Sequence, residues 1–476
     1  MAELTVERTA IDGLLVVRLP VHGDARGWFK ENWQRAKSVP LGVPDFGPVQ
    51  ENMSHNVEPG VTRGFHAEPW DKYVSVAAGR VFGAWVDLRE GDGFGTLVTT
   101  EIDPGLAVFV PRGVANAYQA LDPDSTYAYL VNDHWSPEAR DRYTFVNLAD
   151  ETIACPWPIP LSEATLSEAD ENHPRLDAIT PLPRHGRTIV VGGDGQLGRA
   201  LRAVFPEAEF LSRSELDIAS AESVAAFDFD HVDTIVNAAA WTAVDAAETP
   251  EGRVGCWRTN VEGVGRLVEV ARRHRATLVH VSSDYVFDGT REVHSEDEPF
   301  SPLGVYGASK AAGDALVATW ERHYIVRTSW VIGEGPNFVR TMVDLARRGI
   351  SPTVVDDQYG RLTFADDLAD AIAHLVRTSA NFGSYNVTND GPTQSWFDIA
   401  ARIFELVGAE GSVSPVSTEE YASGKSLAPR PRHSTLELDK IRSAGLVASP
   451  MSPRLTEYVG GLLRPWGITL GHSSQP

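Results

Sequence analysis

Cysteine is nearly missing: Cys155 and Cys256 are the two in 476 residues. That excludes a disulfide framework and fits a reducing compartment. No apolar run approaches membrane-spanning length, and the opening MAELTVERTA lacks the basic-then-apolar pattern of a secretion signal. Basic residues are in deficit, 42 Lys and Arg against 65 Asp and Glu, for a formal net charge of -23. This balance argues against nucleic acid or an anionic membrane as partner. It leaves room for an anionic small substrate, which needs only local Arg and Lys. Internal repeats and low-complexity tracts are also lacking. The expectation is a soluble, cytoplasmic protein, and the length predicts two domains or more.

From the start to about Pro158 the pattern is short alternating strands broken by Gly and Pro, at residues 14–19, 73–77, 81–88, 96–102 and 107–110. Even spacing with almost no helical periodicity predicts an all-β sandwich or barrel. Residues 161–177 read as a short acidic helical tail. Pro174, Pro181 and Pro183 then mark a semi-rigid linker, LPRHGR, and place a boundary near Leu182, giving domains 1–182 and 183–476.

Several strings in the first half carry polar residues that a plain barrel does not need. They are Asp24-Ala25-Arg26-Gly27-Trp28-Phe29-Lys30-Glu31, Gln50-Glu51-Asn52, Arg63-Gly64-Phe65-His66, Trp70-Asp71-Lys72, a run from Pro111 to Asn116, Tyr129, and Ser167-Glu168-Ala169-Asp170. On these, residues 1–180 resemble the nucleotide-sugar 3,5-epimerases of the cupin (jelly-roll) fold, which act on dTDP-4-dehydro-6-deoxyglucose. The resemblance implies that His66 is the general base and Asp170 its orienting partner. It makes Tyr129 the acid on the opposite face of the sugar and Lys72 the group that stabilises the enolate. Arg26, Gln50, Asn52 and Arg63 would hold diphosphate and sugar, and Trp135 would stack near the base. It also implies a homodimer formed through an N-terminal strand.

The chemistry asks for those residue types. A proton alpha to a ketone leaves only if the enolate oxygen meets a cation or donor. Imidazole is a suitable base near neutral pH, and a carboxylate fixes its tautomer. Inversion needs a second proton donor across the ring. Asn116 stands where the family usually has His, which bears on how the substrate carbonyl is held and on whether both C3 and C5 invert. The rival reading is a metal cupin, since His66-Ala67-Glu68 gives H-x-E. With Glu68 and Asn116 at the places of further His ligands, two ligands make a poor metal site, and no metal is expected.

In the second half, Thr188–Leu201 reads TIVVGGDGQLGRAL: an apolar strand, then Gly193, Gly195 and Gly198 as G-x-G-x-x-G, then a helical stripe. Such glycines let backbone approach a pyrophosphate at a helix N-terminus. Strand and helix patterns alternate from there, predicting a doubly wound parallel (Rossmann) sheet with a smaller C-terminal substrate subdomain. Strands run into Asn237-Ala238-Ala239-Ala240 and Ser282-Ser283-Asp284-Tyr285. Tyr306 and Lys310 are four apart, on one helix face, where an ammonium favours the phenolate and Ser283 can bond the same carbonyl oxygen.

The strings GDGQLG, NAAAWTAVDAAE, SSDYVFDG, VYGASK, RTSWV, DQYGR and RPRHS resemble the extended short-chain dehydrogenases, and within them the dTDP-4-dehydrorhamnose reductases. That family usually has Thr where Ser283 stands; the hydroxyl is kept. The resemblance implies Ser283, Tyr306 and Lys310 as the catalytic set, and Gly192, Gly193, Gly195, Gln196, Leu197, Gly198, Asn237, Ala238 and Ala239 at the dinucleotide. Asp217 would lie on the adenine side, and Thr242, Val244, Asp245, Trp330 and Arg432 at the sugar nucleotide. No acidic residue follows the second strand, whereas Arg213 suits a 2′-phosphate, so NADPH is favoured over NADH. Some relatives bind Mg2+ between subunits; no ligand cluster stands out for it here.

The reading is a bifunctional enzyme that makes dTDP-L-rhamnose by 3,5-epimerisation and then reduction of the C4 ketone. The alternatives are an active reductase beside a non-catalytic, C3-only or C5-only cupin half, or the same chemistry on another nucleotide-linked 4-keto sugar.

Overall fold

A computed structural model of the chain describes residues 3–137, 140, 142–183, 186–229, 232–409 and 413–466. Its contacts separate two units, Met1–His185 and Gly186–Pro476. Arg184 and His185 of the LPRHGR linker lie outside the described residues.

Short β-branched and aromatic runs make the first unit. Strands β1 (Thr5–Arg8) and β2 (Leu15–Arg18) are followed by a separate hairpin, β3 (Val21–Asp24) with β4 (Gly27–Lys30). Then come β5 (Gln50–Asn56), β6 (Thr62–Ala67), β7 (Lys72–Ala78), β8 (Val81–Asp87), β9 (Leu97–Ile102), β10 (Leu106–Val110), β11 (Val114–Ala120), β12 (Ser125–Val131) and β13 (Thr144–Phe145). One antiparallel sheet has the order β1-β2-β10-β7-β12-β5, and the facing sheet runs β13-β6-β11-β8-β9. Val74, Val76 and Val108 from the first sheet pack with Trp85, Val81 and Val114 from the second, as in a sandwich. The expected acidic tail is helical only at Glu168–Glu171 and in a turn at Leu176–Ala178. Pro174 interrupts it, because proline supplies no amide donor to a helix.

Two departures from regular alternation open a cleft. On β5 the half-buried residues Gln50, Asn52 and Ser54 alternate with exposed Glu51, Met53 and His55, so an inward row is polar rather than apolar. On β6 the register slips: Asn116 pairs with His66, but Tyr118 pairs with Arg63. Asn116 and Tyr118 share one face of β11, so the slip presents His66 and Arg63, three apart, to that same face. Gly64 sits in the slip at φ +120°, where a Cβ would lie 2.5 Å from the Ala117 Cβ and the Asn116 carbonyl oxygen.

The second unit is a parallel sheet of short, buried apolar strands: β14 (Arg187–Val191), β15 (Glu209–Leu211), β16 (Val232–Asn237), β17 (Thr277–Ser283), β18 (His323–Thr328) and a last strand Gly383–Asn386. Their spatial order is β15-β14-β16-β17-β18 and then Gly383–Asn386. The chain therefore moves outward from β14 to β15 and returns to the other side at β16, leaving a crevice at the carboxyl ends of β14 and β16. Helices cover both faces, with Val264, Leu267 and Val268 in one core and Leu197, Leu201, Leu368 and Ile372 in the other. A further core joins helices Phe338–Arg347, Trp396–Val407 and Met451–Leu463, which is the smaller C-terminal subdomain. No helix among the described residues is long and apolar enough to cross a membrane.

Gly64→Ala is expected to destabilise the first unit by about 3 kcal/mol, from strained φ plus a backbone clash. A calorimetric melt checks this: one transition should move down while that of the second unit stays.

Candidate active sites

The first site lies between the sheets of the β unit. His66 projects from β6 with its side chain 31% exposed, and its Nε2–H donates to Asp170 Oδ1 at 2.9 Å. Asp170 belongs to the short helix Glu168–Glu171, whose N-cap Ser167 accepts the Asp170 amide. Burial works to raise the Asp170 carboxyl, but the hydrogen bonds from His66 and Ser167 outweigh it and hold the group below its ordinary range. His173 Nε2 reaches the same oxygen at 3.3 Å. Phe145 stacks on His173 at 4.6 Å and stands edge-on to His66 at 5.1 Å, fixing both rings.

Across from them, β7 and β12 set Lys72 and Tyr129 side by side, with the ammonium 5.5 Å from the phenol ring centroid. Burial, with Glu68 as the next contribution, pushes the Tyr129 phenol up to about 12. Asn52 pairs with Tyr129 in register, and Gln50 donates to Asn52 Oδ1 at 2.9 Å. Gln50 Oε1 accepts the amide of Trp135, whose ring is exposed. Arg63 lies beside the Tyr118 hydroxyl, and that hydroxyl donates to Asn56. Asn116, opposite His66, accepts from the Tyr127 hydroxyl at 3.0 Å.

Three residues bear on this grouping. Arg26 is not gathered with the others: it stands 89% exposed on the β3–β4 hairpin, ion-paired to Asp24 of the same hairpin. Glu68 of the H-x-E string is drawn to the buried Lys72 ammonium at 2.7 Å. The second imidazole near His66 is His173, which sequence reasoning passed over. His66, Asp170 and His173 offer three ligand-type atoms within 4.8 Å, one more than the two counted from H-x-E. The signal for His173 was its place three residues after Asp170, just past a one-turn helix.

The second site opens at the crevice between β14 and β16. Gly192 and Gly193 donate to the Leu211 carbonyl, Gly195 donates back to Gly192, and the helix Gln196–Val204 starts at Gly195. A Cβ on Gly198 would lie 2.3 Å from the Gly192 carbonyl oxygen, so only glycine lets helix and turn meet so closely. Leu197 packs into the core, while Gln196 Oε1 accepts Gly333 N at 2.8 Å and ties the turn to the loop after β18. Ala238 donates to Val191, and Asn237 Oδ1 accepts Ala239 N at 3.2 Å, shaping the facing wall. Beyond β15, exposed Arg213 pairs with Asp217 at 3.1 Å.

Ser283 ends β17, donates to Asp284 and lies beside the Tyr306 hydroxyl. Lys310, one turn on from Tyr306, donates to the Val281 carbonyl at 2.8 Å and contacts His280 at 3.3 Å. The proximity argument anticipated this grouping but not the desolvation. Burial pushes the Tyr306 phenol up and brings the Lys310 ammonium down to about 8.

Val244, Glu248, Tyr285, Gly304 and Pro431 line a hollow beside Tyr306. Asp245 accepts from Arg430 at 2.9 Å, and Arg430 also meets the Tyr285 hydroxyl. Arg430, two residues before the expected Arg432, thus lies on this wall, and Arg432 is exposed. Both belong to RPRHS, and which of them turns inward is decided by the loop's path. Thr242 is exposed on the same connection as Val244. Trp330 holds φ +46° and stacks on Trp396 at 3.7 Å.

The family model described as dTDP-4-dehydrorhamnose 3,5-epimerase matches residues 8–178, and the RmlD substrate binding domain model matches residues 186–462. The chain belongs to both families. Its epimerase-family part is 51% identical over 177 residues to a protein RmlC homolog of Streptococcus pyogenes, spanning 36% of this chain and 89% of that one. The RmlD-family part is 38% identical over 278 residues to a dTDP-4-dehydrorhamnose reductase of Aggregatibacter actinomycetemcomitans, spanning 54% of this chain and 92% of that one. It also resembles a crystal structure of dTDP-4-dehydrorhamnose reductase from Bacillus anthracis in complex with NADP, at 34% identity and TM-score 0.53 over 58% of this chain and 98% of that one.

A depressed Asp170 adds stability that is complete above its ordinary value of 3.8 and lost as pH falls through its lower folded value. Urea unfolding of the protein and of Asp170→Asn should therefore differ fully at about pH 5 and above and converge in stronger acid.

Proposed function

We infer that this chain performs two consecutive steps of dTDP-L-rhamnose synthesis. The epimerase-family unit inverts C5 and C3 of dTDP-4-dehydro-6-deoxy-D-glucose, and the RmlD-family unit reduces the C4 ketone. The observation that carries the reading is that one polypeptide holds both a His66–Asp170 pair facing Lys72 and Tyr129, and a Ser283–Tyr306–Lys310 group at a glycine-rich turn.

In the first unit His66 takes the proton alpha to the ketone while Asp170 holds its ring and supports the imidazolium. Lys72 stabilises the enolate oxygen. Tyr129 delivers a proton to the opposite face, a role suited to a phenol that stays protonated at neutral pH. Arg63, Gln50, Asn52 and Trp135 hold the sugar nucleotide. Arg26 joins them from the exposed hairpin, which also presents Trp28 and Phe29 to solvent and so supports a homodimer in which a second copy covers it. Asn116, in place of the family's usual His, supports one other reading, inversion at C3 or C5 alone.

In the second unit, Gly192, Gly193, Gly195, Gly198, Ala238 and Ala239 leave backbone bare on both sides of the crevice, a shape suited to a dinucleotide pyrophosphate. A Cβ at Gly192 would lie 2.8 Å from the Ala239 amide, which shows how close the walls are. Arg213, with Asp217 beside it, suits the 2′-phosphate of NADPH, and the NADP complex of the Bacillus anthracis reductase supports that choice. NADPH, when bound, supplies hydride for C4. Tyr306 gives the C4 oxygen its proton, Ser283 bonds the same oxygen, and Lys310 favours the resulting phenolate. Thr242, Val244, Asp245 and Trp330 line the sugar-nucleotide side. The reaction, with the scarcity of cysteine, fits the cytoplasm.

Solvent deuterium should enter the 4-keto sugar without NADPH, and His66→Ala should abolish that uptake while sparing reduction of the already epimerised ketone. Tyr306→Phe should do the reverse, cutting NADPH oxidation at least about 100-fold. Loss of both activities in either variant, or of neither, would sink the assignment. Because Lys310 loses its proton near 8, NADPH oxidation should decline as pH rises through that value, measured as kcat against pH.

A further inference from the structure

The connection from β6 to β7 crosses from one sheet to the other beside the first site, and it carries a carboxylate that the reaction scheme above does not use. Glu68 is buried, with its side chain 9% exposed and Lys72 at 6%. Both of its oxygens are engaged: Oε1 accepts from Lys72 Nζ at 2.7 Å and Oε2 from Trp70 Nε1 at 2.5 Å. Trp70 is itself 3% exposed and meets Tyr143 edge-on at 5.4 Å. The connection is pinned at its other end by Asp71, whose amide donates to Asn132 Oδ1 while its carboxylate accepts from Asn132 Nδ2 and the Arg112 amide. Glu68 thus has a fixed backbone, a fixed indole donor and a buried ammonium.

An ammonium of four rotatable bonds, buried without a counter-charge, either gives up its proton or turns toward water. Neither outcome leaves a cation where an enolate oxygen forms. Resting on the epimerase reading, we propose that Glu68 is a positioning residue for that reaction, holding the Lys72 ammonium against the Tyr129 ring so that cation and proton donor act as one unit. Its charge has a second consequence. After burial, Glu68 is the next contribution that raises both the Tyr129 and the Tyr143 phenols, so it favours the protonated form that a proton donor must start from. A neutral amide at position 68 meets two donors, Lys72 and Trp70, with a single acceptor, so one contact is lost along with the charge.

The test follows solvent deuterium uptake into the 4-keto sugar by the full chain, with His66→Ala run beside it. Uptake by the unsubstituted protein and its loss in His66→Ala secure the epimerase reading independently of Glu68. Glu68→Gln is then expected to lower kcat for exchange about 100-fold with KM within about threefold, and Glu68→Asp, which keeps the charge, to recover part of the loss. NADPH oxidation on the epimerised ketone should be unchanged in both. Exchange at the original rate in Glu68→Gln, or equal impairment in Glu68→Asp and Glu68→Gln, overturns the proposal. If Glu68→Gln loses its cooperative melt, Trp70→Phe replaces it. Removing the indole donor should then reduce kcat by less than the amide would with KM held, and an unchanged kcat overturns the proposal.

Discussion

A charged side chain taken out of water must meet a counter-group or surrender its charge, and both candidate sites are organised by that requirement. In the β unit the Lys72 ammonium is met by Glu68 and the Asp170 carboxylate by two imidazoles. In the α/β unit Lys310 has a backbone carbonyl and the His280 ring, and Asp314 is paired with Arg327 at 3.0 Å. The His66–Asp170 contact joins residues 104 apart in sequence, whereas Glu68 and Lys72 are four apart across the β6–β7 connection. The chemistry-bearing groups therefore stay in place because their charges cannot be satisfied elsewhere.

The two scaffolds meet the requirement differently. The β unit slips its register at Gly64 and lines an edge strand with inward polar side chains in an otherwise apolar sandwich. The α/β unit places its groups where its strands end. Asn237 closes β16, Ser283 closes β17, and the glycine turn follows β14. In a parallel sheet those ends share one rim, so residues from separate strands converge there, away from the register shift between Arg187 and Thr188 at the start of β14.

Legibility in the sequence followed the same divide. In the second half Gly193, Gly195 and Gly198 carry the physical need for bare backbone in the string itself, and Tyr306 and Lys310 share a helix face by spacing alone. The group was accordingly visible before any coordinates. The desolvation that pushes Tyr306 up and Lys310 down was not, since burial is a property of everything packed around the helix. In the β unit the motif strings pointed to His66, Lys72, Tyr129 and Asp170, but no partner for Lys72 could be read from them. The chain turns between sheets at Glu68 and hands its carboxylate to Lys72.

By itself the sequence determined the division into an all-β and an α/β part, the glycine turn, and the shared helix face of Tyr306 and Lys310, because periodicity, backbone freedom and helix spacing are local properties. Tertiary structure alone decided that His173 shares Asp170 with His66, that Arg430 rather than Arg432 meets Asp245, and that Arg26 stands on an exposed hairpin. Those outcomes depend on where loops run after the strands have paired, and on which charges are left without water. No stretch of chain contains that information until the sheets close.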